Sequence, residues 1–352
     1  MALRTTKKQA ATMSPEAVKY LAAVPHPWIP GFLLPALTGP RRIPRFRKAF
    51  QAGEDVIEES LIARYSLTLE KTTIKDVPVL IIRPKTITPG NEHALLLNIH
   101  GGGFVMGTAR ERTALLMAAE IGITVYSIDY TLAPEAKYPL ALNQCFAVYE
   151  EVVTHFDPKQ IVGVSSSSGG ALMLAVVLKA QKLHLPMIKA LGMFTPAGEI
   201  SGVGDSAVSN NRRDVQSADM ALAIVRQNYV GDMDPRDPGI SPLNDTFATD
   251  FPPTMITTGT RDIMLSNGVR LFWKLKEINV PVELLVSEGM WHGFNWEPDL
   301  PEAIRTRKIV VDFLNSQIRT ASREESMRMN GSAHGMGHEI AAHEQQEPRA
   351  LS

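Results

Sequence analysis

The chain has 352 residues, 44% of them hydrophobic and 21% charged, which is the composition of one large or two small globular α/β domains. Its 36 basic and 37 acidic residues leave a formal net charge of −1, which argues against a nucleic-acid partner. Cys145 is the only cysteine, so no internal disulfide can form, and the sequence fits a reducing, cytoplasmic compartment.

At the N-terminus, residues 1–24 contain no apolar core of signal-peptide length. No run anywhere reaches the ~18 apolar residues of a membrane span, and membrane contact is not expected, a surface at 27–37 that rests on a membrane being the alternative. Residues 1–13 read as disordered. Ser14 and Pro15 then form a helix start, with serine as the cap and proline in the first turn. The stretch "PWIPGFLLPAL" (27–37) is apolar but broken by prolines, and reads as a segment packed onto a domain or lining a binding site. Residues 14–64 mix helical patterns with loops. The period changes at 65–74 and 77–84, two alternating runs that predict an antiparallel start to a sheet.

From residue 94 onward, strands and helices alternate. Apolar runs at 94–100, 123–130, 161–165, 190–196, 254–260 and 282–289 read as buried strands. Helical patterns occupy 110–120, 139–154, 169–182, 266–278 and 301–319. Such an order predicts an α/β fold, a mostly parallel sheet covered on both faces. Residues 197–250 break the rhythm with a long polar excursion and one helical piece, 217–230, the pattern of a lid or cap. The tail 321–352 is charged and aperiodic and reads as disordered.

Ligands of open parallel sheets bind at the carboxyl ends of the strands. Four features fall at such ends: "HGGGF" (100–104), the serine run 165–168, Asp262 and His292. A serine hydroxyl needs a base within reach, a histidine can serve, and a carboxylate fixes the histidine tautomer. Main-chain N–H groups free of side-chain obstruction can hold an oxyanion, which a triple glycine allows. Each feature alone has a plainer reading. Serine runs are usually loops, Asp262 could merely cap the next helix, and His292 could be a loop histidine. Glu288 is a rival acid for His292. No Lys-Ser/Thr follows "HGGGFVMG", so the glycines are not a nucleotide P-loop. His100 reads as structural, and Asp129 and Glu135 as loop buttresses. Two imitations are set aside. "GDSA" (204–207) has no preceding strand, and the histidines of "HEIAAH" (338–343) are five apart rather than four, so no metal or other cofactor is expected.

Taken together, the motifs resemble the α/β-hydrolase superfamily, and within it the hormone-sensitive-lipase-like esterases, possessors of an HGGG motif. The resemblance rests on "HGGGF", "DYTLAPEAKYPLAL" (129–142), "SPLNDTFATDFPPTMITTGTRDIML" (241–265) and "EGMWHGF" (288–294), and covers roughly 65–320. The chain order Ser, Asp, His is that of this fold. It implies an α/β-hydrolase fold with a helical cap: a leader and cap segment over 1–64, a catalytic domain over 65–320 with a cap insertion at about 200–245, and the tail 321–352 outside it. Aligning the usual Gly-Asp-Ser-Ala-Gly-Gly elbow on Gly169 and Gly170 implies Ser167 as nucleophile, with Ser165 the rival. Ser166 then stands where the family has Asp, and Ser165 where it has Gly. Catalytic roles pass to Ser167, Asp262 and His292. The oxyanion hole is assigned to the N–H groups of Gly102, Gly103 and Ser168, with His100 and Gly101 in support. The implied activity is hydrolysis of small to medium apolar esters. Lactone hydrolysis, acyl transfer and non-catalytic ligand binding are the alternatives. Apolar residues Trp28, Ile29, Phe32, Leu33, Leu34, Met220, Leu222 and Ile224 are expected to cover the site. The strand at 282–287 is expected near a sheet edge, where a homodimer could pair.

Overall fold

The computed structural model describes residues 3, 5–24 and 29–319; Trp28, the tail 321–352 and the 338–343 motif lie outside the described residues. Eight strands form one sheet: β1 (Thr68–Ile74), β2 (Val77–Arg83), β3 (Leu95–Ile99), β4 (Thr124–Ile128), β5 (Ile161–Ser166), β6 (Ala190–Phe194), β7 (Thr254–Gly259) and β8 (Val282–Ser287). Their spatial order is β1-β2-β4-β3-β5-β6-β7-β8. The first pair is an antiparallel hairpin, and β2 runs antiparallel to β4. From β4 to β8 every pairing is parallel. Lys75 and Asp76, at φ 48° and 62°, make the tight turn between β1 and β2. Two left-handed residues match the twist of a two-residue hairpin. As the sequence implied, β8 is an edge strand.

The α-helices of six or more residues, among the described residues, are α1 (Pro15–Ala23), α2 (Ile43–Tyr65), α3 (Arg112–Met117), α4 (Leu140–His155), α5 (Ser168–Lys182), α6 (Ala218–Val225), α7 (Leu265–Glu277) and α8 (301–319). Central strands β3, β5, β6 and β7 are buried throughout, which is why they read as unbroken apolar runs. Successive residues still face opposite ways. Leu95, Leu97 and Ile99 meet α4 and α5 through Cys145, Tyr149 and Met173. Leu96, with Val162 and Val164, meets Leu61 of α2, Leu115 of α3 and Leu314 of α8. The period-two geometry of a strand thus feeds two cores, one on each face.

Residues 3 and 5–13 are ordered, contrary to the disorder read from their composition. Leu3 is buried with Leu21 of α1 against Met290, Trp291 and Phe294, and Met13 packs beside them. The Tyr20 and Trp291 rings stack at 4.5 Å. Ser14 does cap α1, accepting from the Ala17 N–H at 3.1 Å, and it also binds the Glu302 carboxylate through its own N–H (2.7 Å) and hydroxyl (2.9 Å). A polar, lysine-bearing segment is therefore held by a partner nearly three hundred residues away, which no local pattern reveals.

The excursion between β6 and β7 meets the leader above the sheet. Asn228 donates to the Thr38 carbonyl at 2.8 Å and Gln227 to the Thr38 hydroxyl at 2.6 Å. Below them, the ring of Tyr229 stacks flat on Phe104 at 3.9 Å.

Candidate active site

β5 ends in Ser166 and α5 begins at Ser168, so Ser167 alone makes the turn. Its backbone takes φ 50° and ψ −125°, a strained conformation for a residue with a side chain. Three hydrogen bonds hold it there: its N–H to the Phe194 carbonyl (3.1 Å), and its carbonyl from the N–H groups of Gly170 (2.9 Å) and Ala197 (2.8 Å). The turn lifts the Ser167 hydroxyl out of the strand and towards His292. Ser165, the rival, is fully buried within β5 and its hydroxyl faces the Met193 sulfur at 3.3 Å.

Asp262 follows β7 and His292 follows β8, so both reach the same end of the sheet as Ser167. Nε2 of His292 lies 2.8 Å from the Ser167 Oγ. Nδ1 of the same ring lies 2.9 Å from Asp262 Oδ1. Asp262 is itself fixed, accepting from the Thr258 hydroxyl at 2.7 Å and the Met264 N–H at 2.7 Å. Glu288 makes no such contact; the acid that meets the imidazole is Asp262. The alternative capping part does not arise: Asp262 accepts from the N–H of Met264, the residue before α7, and no side chain caps that helix.

β3 delivers the glycine loop to the other side of Ser167. Gly102 has φ 110°, and a Cβ there would stand 2.0 Å from the Met106 carbonyl oxygen, so only glycine fits this turn. Carbonyl 102 points into the turn, accepting from Val105 and Met106. No hydrogen bond among the described residues uses the N–H of Gly102 or Gly103. Ser168 opens α5, where first-turn N–H groups have no helical acceptor. His100 is buried, its Nδ1 2.8 Å from the Gly101 carbonyl and its ring stacked on Tyr130 at 4.2 Å. Tyr130 in turn donates to the His100 carbonyl at 3.0 Å. Asp129 accepts from the Ala109 N–H, and Glu135 pairs with Arg47, so both brace loops.

A model of the α/β-hydrolase fold family matches residues 96–295. The chain is an α/β hydrolase. It is 30% identical to an esterase of Acinetobacter venetianus over 218 residues, spanning 60% of this chain and 72% of that one. Among solved structures, esterase E25 superposes with a TM-score of 0.80 at 26% identity, over 88% of this chain and 96% of that one. An esterase of the bacterial hormone-sensitive lipase family superposes with a TM-score of 0.67 at 26% identity, over 75% and 90%. The hydrolase is therefore hormone-sensitive-lipase-like, as its motifs implied.

Charge within this hydrolase is arranged around His292. Burial disfavours its imidazolium, but the charge of Asp262, their hydrogen bond and the charge of Asp214 outweigh that, and the imidazole pKa is raised. Asp214 went unnoticed in the sequence. It is fully buried and accepts from the His292 N–H (3.1 Å) and the Ile263 N–H (2.7 Å), joining the loops that carry the two other groups. Burial and the neighbouring Asp262 push its carboxyl up to about 7, against the pull of His292 and the two amides. It lies in the polar excursion with no strand before it, so only its position in space marks it. The "GDSA" imitation lies apart: Ser206 donates to the Ile263 carbonyl and takes no part at Ser167. Among the described residues, no cluster of His, Cys, Asp or Glu is arranged to hold a metal ion.

Proposed function

We propose that this α/β hydrolase cleaves carboxylic esters through an acyl-enzyme on Ser167. The observation that supports it is the unbroken hydrogen-bonded line Ser167–His292–Asp262 beside the glycine loop. His292 takes the Ser167 proton as Oγ attacks the ester carbonyl. Asp262 holds the tautomer whose Nε2 is free to accept, and stabilises the imidazolium. The oxyanion is received by the N–H groups of Gly102, Gly103 and Ser168, each typically worth ~2.7–4 kcal/mol of barrier. His292 then gives its proton to the departing alkoxide, and water repeats the steps on the acyl-enzyme. An esterase relative of like fold supports the ester as substrate.

The covering surface supports small to medium apolar esters. Val225 of α6 is the nearest side chain above Gly103, and Ile224 is buried beside it, with Met220 half-buried. Leu222 reaches over Gly202. Medium-ring lactones, being closed esters, share the same chemistry and belong in the same assay. The exposed edge of β8 supports a homodimer, and the single buried thiol of Cys145 supports a cytoplasmic setting. Among the described residues, no helix is long and apolar enough to cross a membrane.

The test is a fluorophosphonate mass shift mapped to the peptide holding Ser167, with turnover of p-nitrophenyl acetate, hexanoate, laurate and a lactone. Ser167→Ala is expected to stay folded, lose the label and lose turnover. Full activity in that variant would overturn the assignment, and preference for laurate would overturn the small-pocket reading.

A further inference from the structure

Glu111 has no part in the chemistry described above, yet it stands half-buried in the wall of the site. It is the residue before α3, in the turn that follows the glycine loop. One carboxylate oxygen accepts from the Gly101 N–H at 3.3 Å and from the Ser166 hydroxyl at 3.1 Å. The other accepts from the Asn98 side chain at 3.1 Å, which also donates to Ser127 at 2.9 Å. Gly101 precedes the two oxyanion amides, Ser166 precedes the nucleophile, and Asn98 lies on β3, which delivers the glycine loop. We propose that Glu111 is a positioning residue that clamps the oxyanion loop to the nucleophile turn, its carboxylate setting the distance between the amides and the Ser167 hydroxyl. The proposal rests on the ester-hydrolase reading of this site.

Three further observations support it. Ser166 occupies the elbow position where the resembling motif carries an aspartate, so a carboxylate is missing from the chain there and returns from Glu111. A Cβ placed on Gly101 would stand 3.1 Å from the Ser166 Oγ, so loop and turn already touch at the point that the carboxylate ties. Glu111 also borders a small cavity of about 40 Å³, lined by Phe50 and Trp296 as well as by Gln51, Glu54, Glu58 and Arg112, with room for a water. Burial pushes Glu111 up to about 7, against the three donors that favour its charge, so the carboxylate form prevails at pH 8.

The test compares the wild type with Glu111→Ala and with Glu111→Ala/Ser166→Asp at pH 8, using p-nitrophenyl acetate turnover and thermal unfolding. Loosening the donors by a fraction of an ångström is expected to lower kcat about 30-fold, within the range for imprecise placement of reacting groups, and to leave KM within about threefold. Returning a carboxylate at position 166 is expected to recover at least about tenfold of that loss, which a merely structural defect would not allow. Unchanged kcat in Glu111→Ala overturns the clamp. So does a loss of activity that tracks a loss of stability and is not recovered by Ser166→Asp. A wild type that turns over no ester overturns the ester reading and this proposal together, whereas an active wild type beside an equally active Glu111→Ala overturns the clamp alone.

Discussion

Gly169→Ala adds one methyl group where β3 and α5 cross. An ideal Cβ on Gly169 would stand 2.2 Å from the Ile99 carbonyl oxygen and 2.5 Å from that of His100, where ordinary contact begins at 3.4 Å. Both neighbours are backbone, so no rotamer relieves the clash, and the helix start must retreat by about 1 Å. Overpacking of this kind typically costs ~1–3 kcal/mol of stability. The retreat carries Ser167, two residues away, off the line to His292, and misplacement of about 1 Å at reacting groups can lower a rate on the order of 10²-fold. Steady-state turnover of p-nitrophenyl acetate and urea unfolding, measured on the same preparation, read both effects. A variant with kcat within about threefold of wild type and unaltered stability would refute the claim that this crossing sets the nucleophile.

Other outcomes follow from the charges around His292. The imidazole must be neutral to act as base, and its pKa lies above the ordinary ~6.5. The acid limb of kcat/KM is therefore expected to fall away above pH ~6.5, and a rate flat from pH 8 to 5 would exclude His292 as the base. Asp262→Asn replaces the carboxylate with an uncharged amide whose NH2 can donate to Nδ1 and favour the wrong tautomer. A fall in kcat on the order of 10⁴-fold is expected, and a fall below about tenfold would remove Asp262 from its role. Asp214 has its folded pKa raised from 3.8 to about 7, so the folded state holds the extra proton and this group's contribution to stability declines as pH rises between those values. Asp214→Asn lacks that titration. Relative to wild type, the variant is expected to gain stability between pH 5 and pH 8 by urea unfolding, and parallel curves would contradict the raised pKa.

The fold class was legible because the central strands are buried on both faces, and burial on both faces writes an unbroken apolar run into the sequence. Ser167, Asp262 and His292 were legible for a related reason. Each follows a strand of the parallel sheet, whose carboxyl end gathers whatever comes next, and the elbow motif singled out Ser167 within the serine run. Residues that depend on long-range contact were not legible. Leu3 and Met13 lie in a polar stretch and owe their order to Met290 and Trp291. Asp214 and Glu111 sit in segments with no strand signal, and read as ordinary surface acids until the chain closes around them.

By itself, then, the order of residues determined the architecture and brought forward the candidates Ser167, Asp262 and His292, because periodicity, strand ends and motifs are local properties. Tertiary structure supplies the reason that it is Ser167, and neither neighbour, that faces the imidazole: the positive-φ turn there sends its hydroxyl to His292, while Ser165 faces Met193 and Ser166 faces Glu111. Four identical neighbours differ only in direction, and direction is set by the backbone angles that packing imposes.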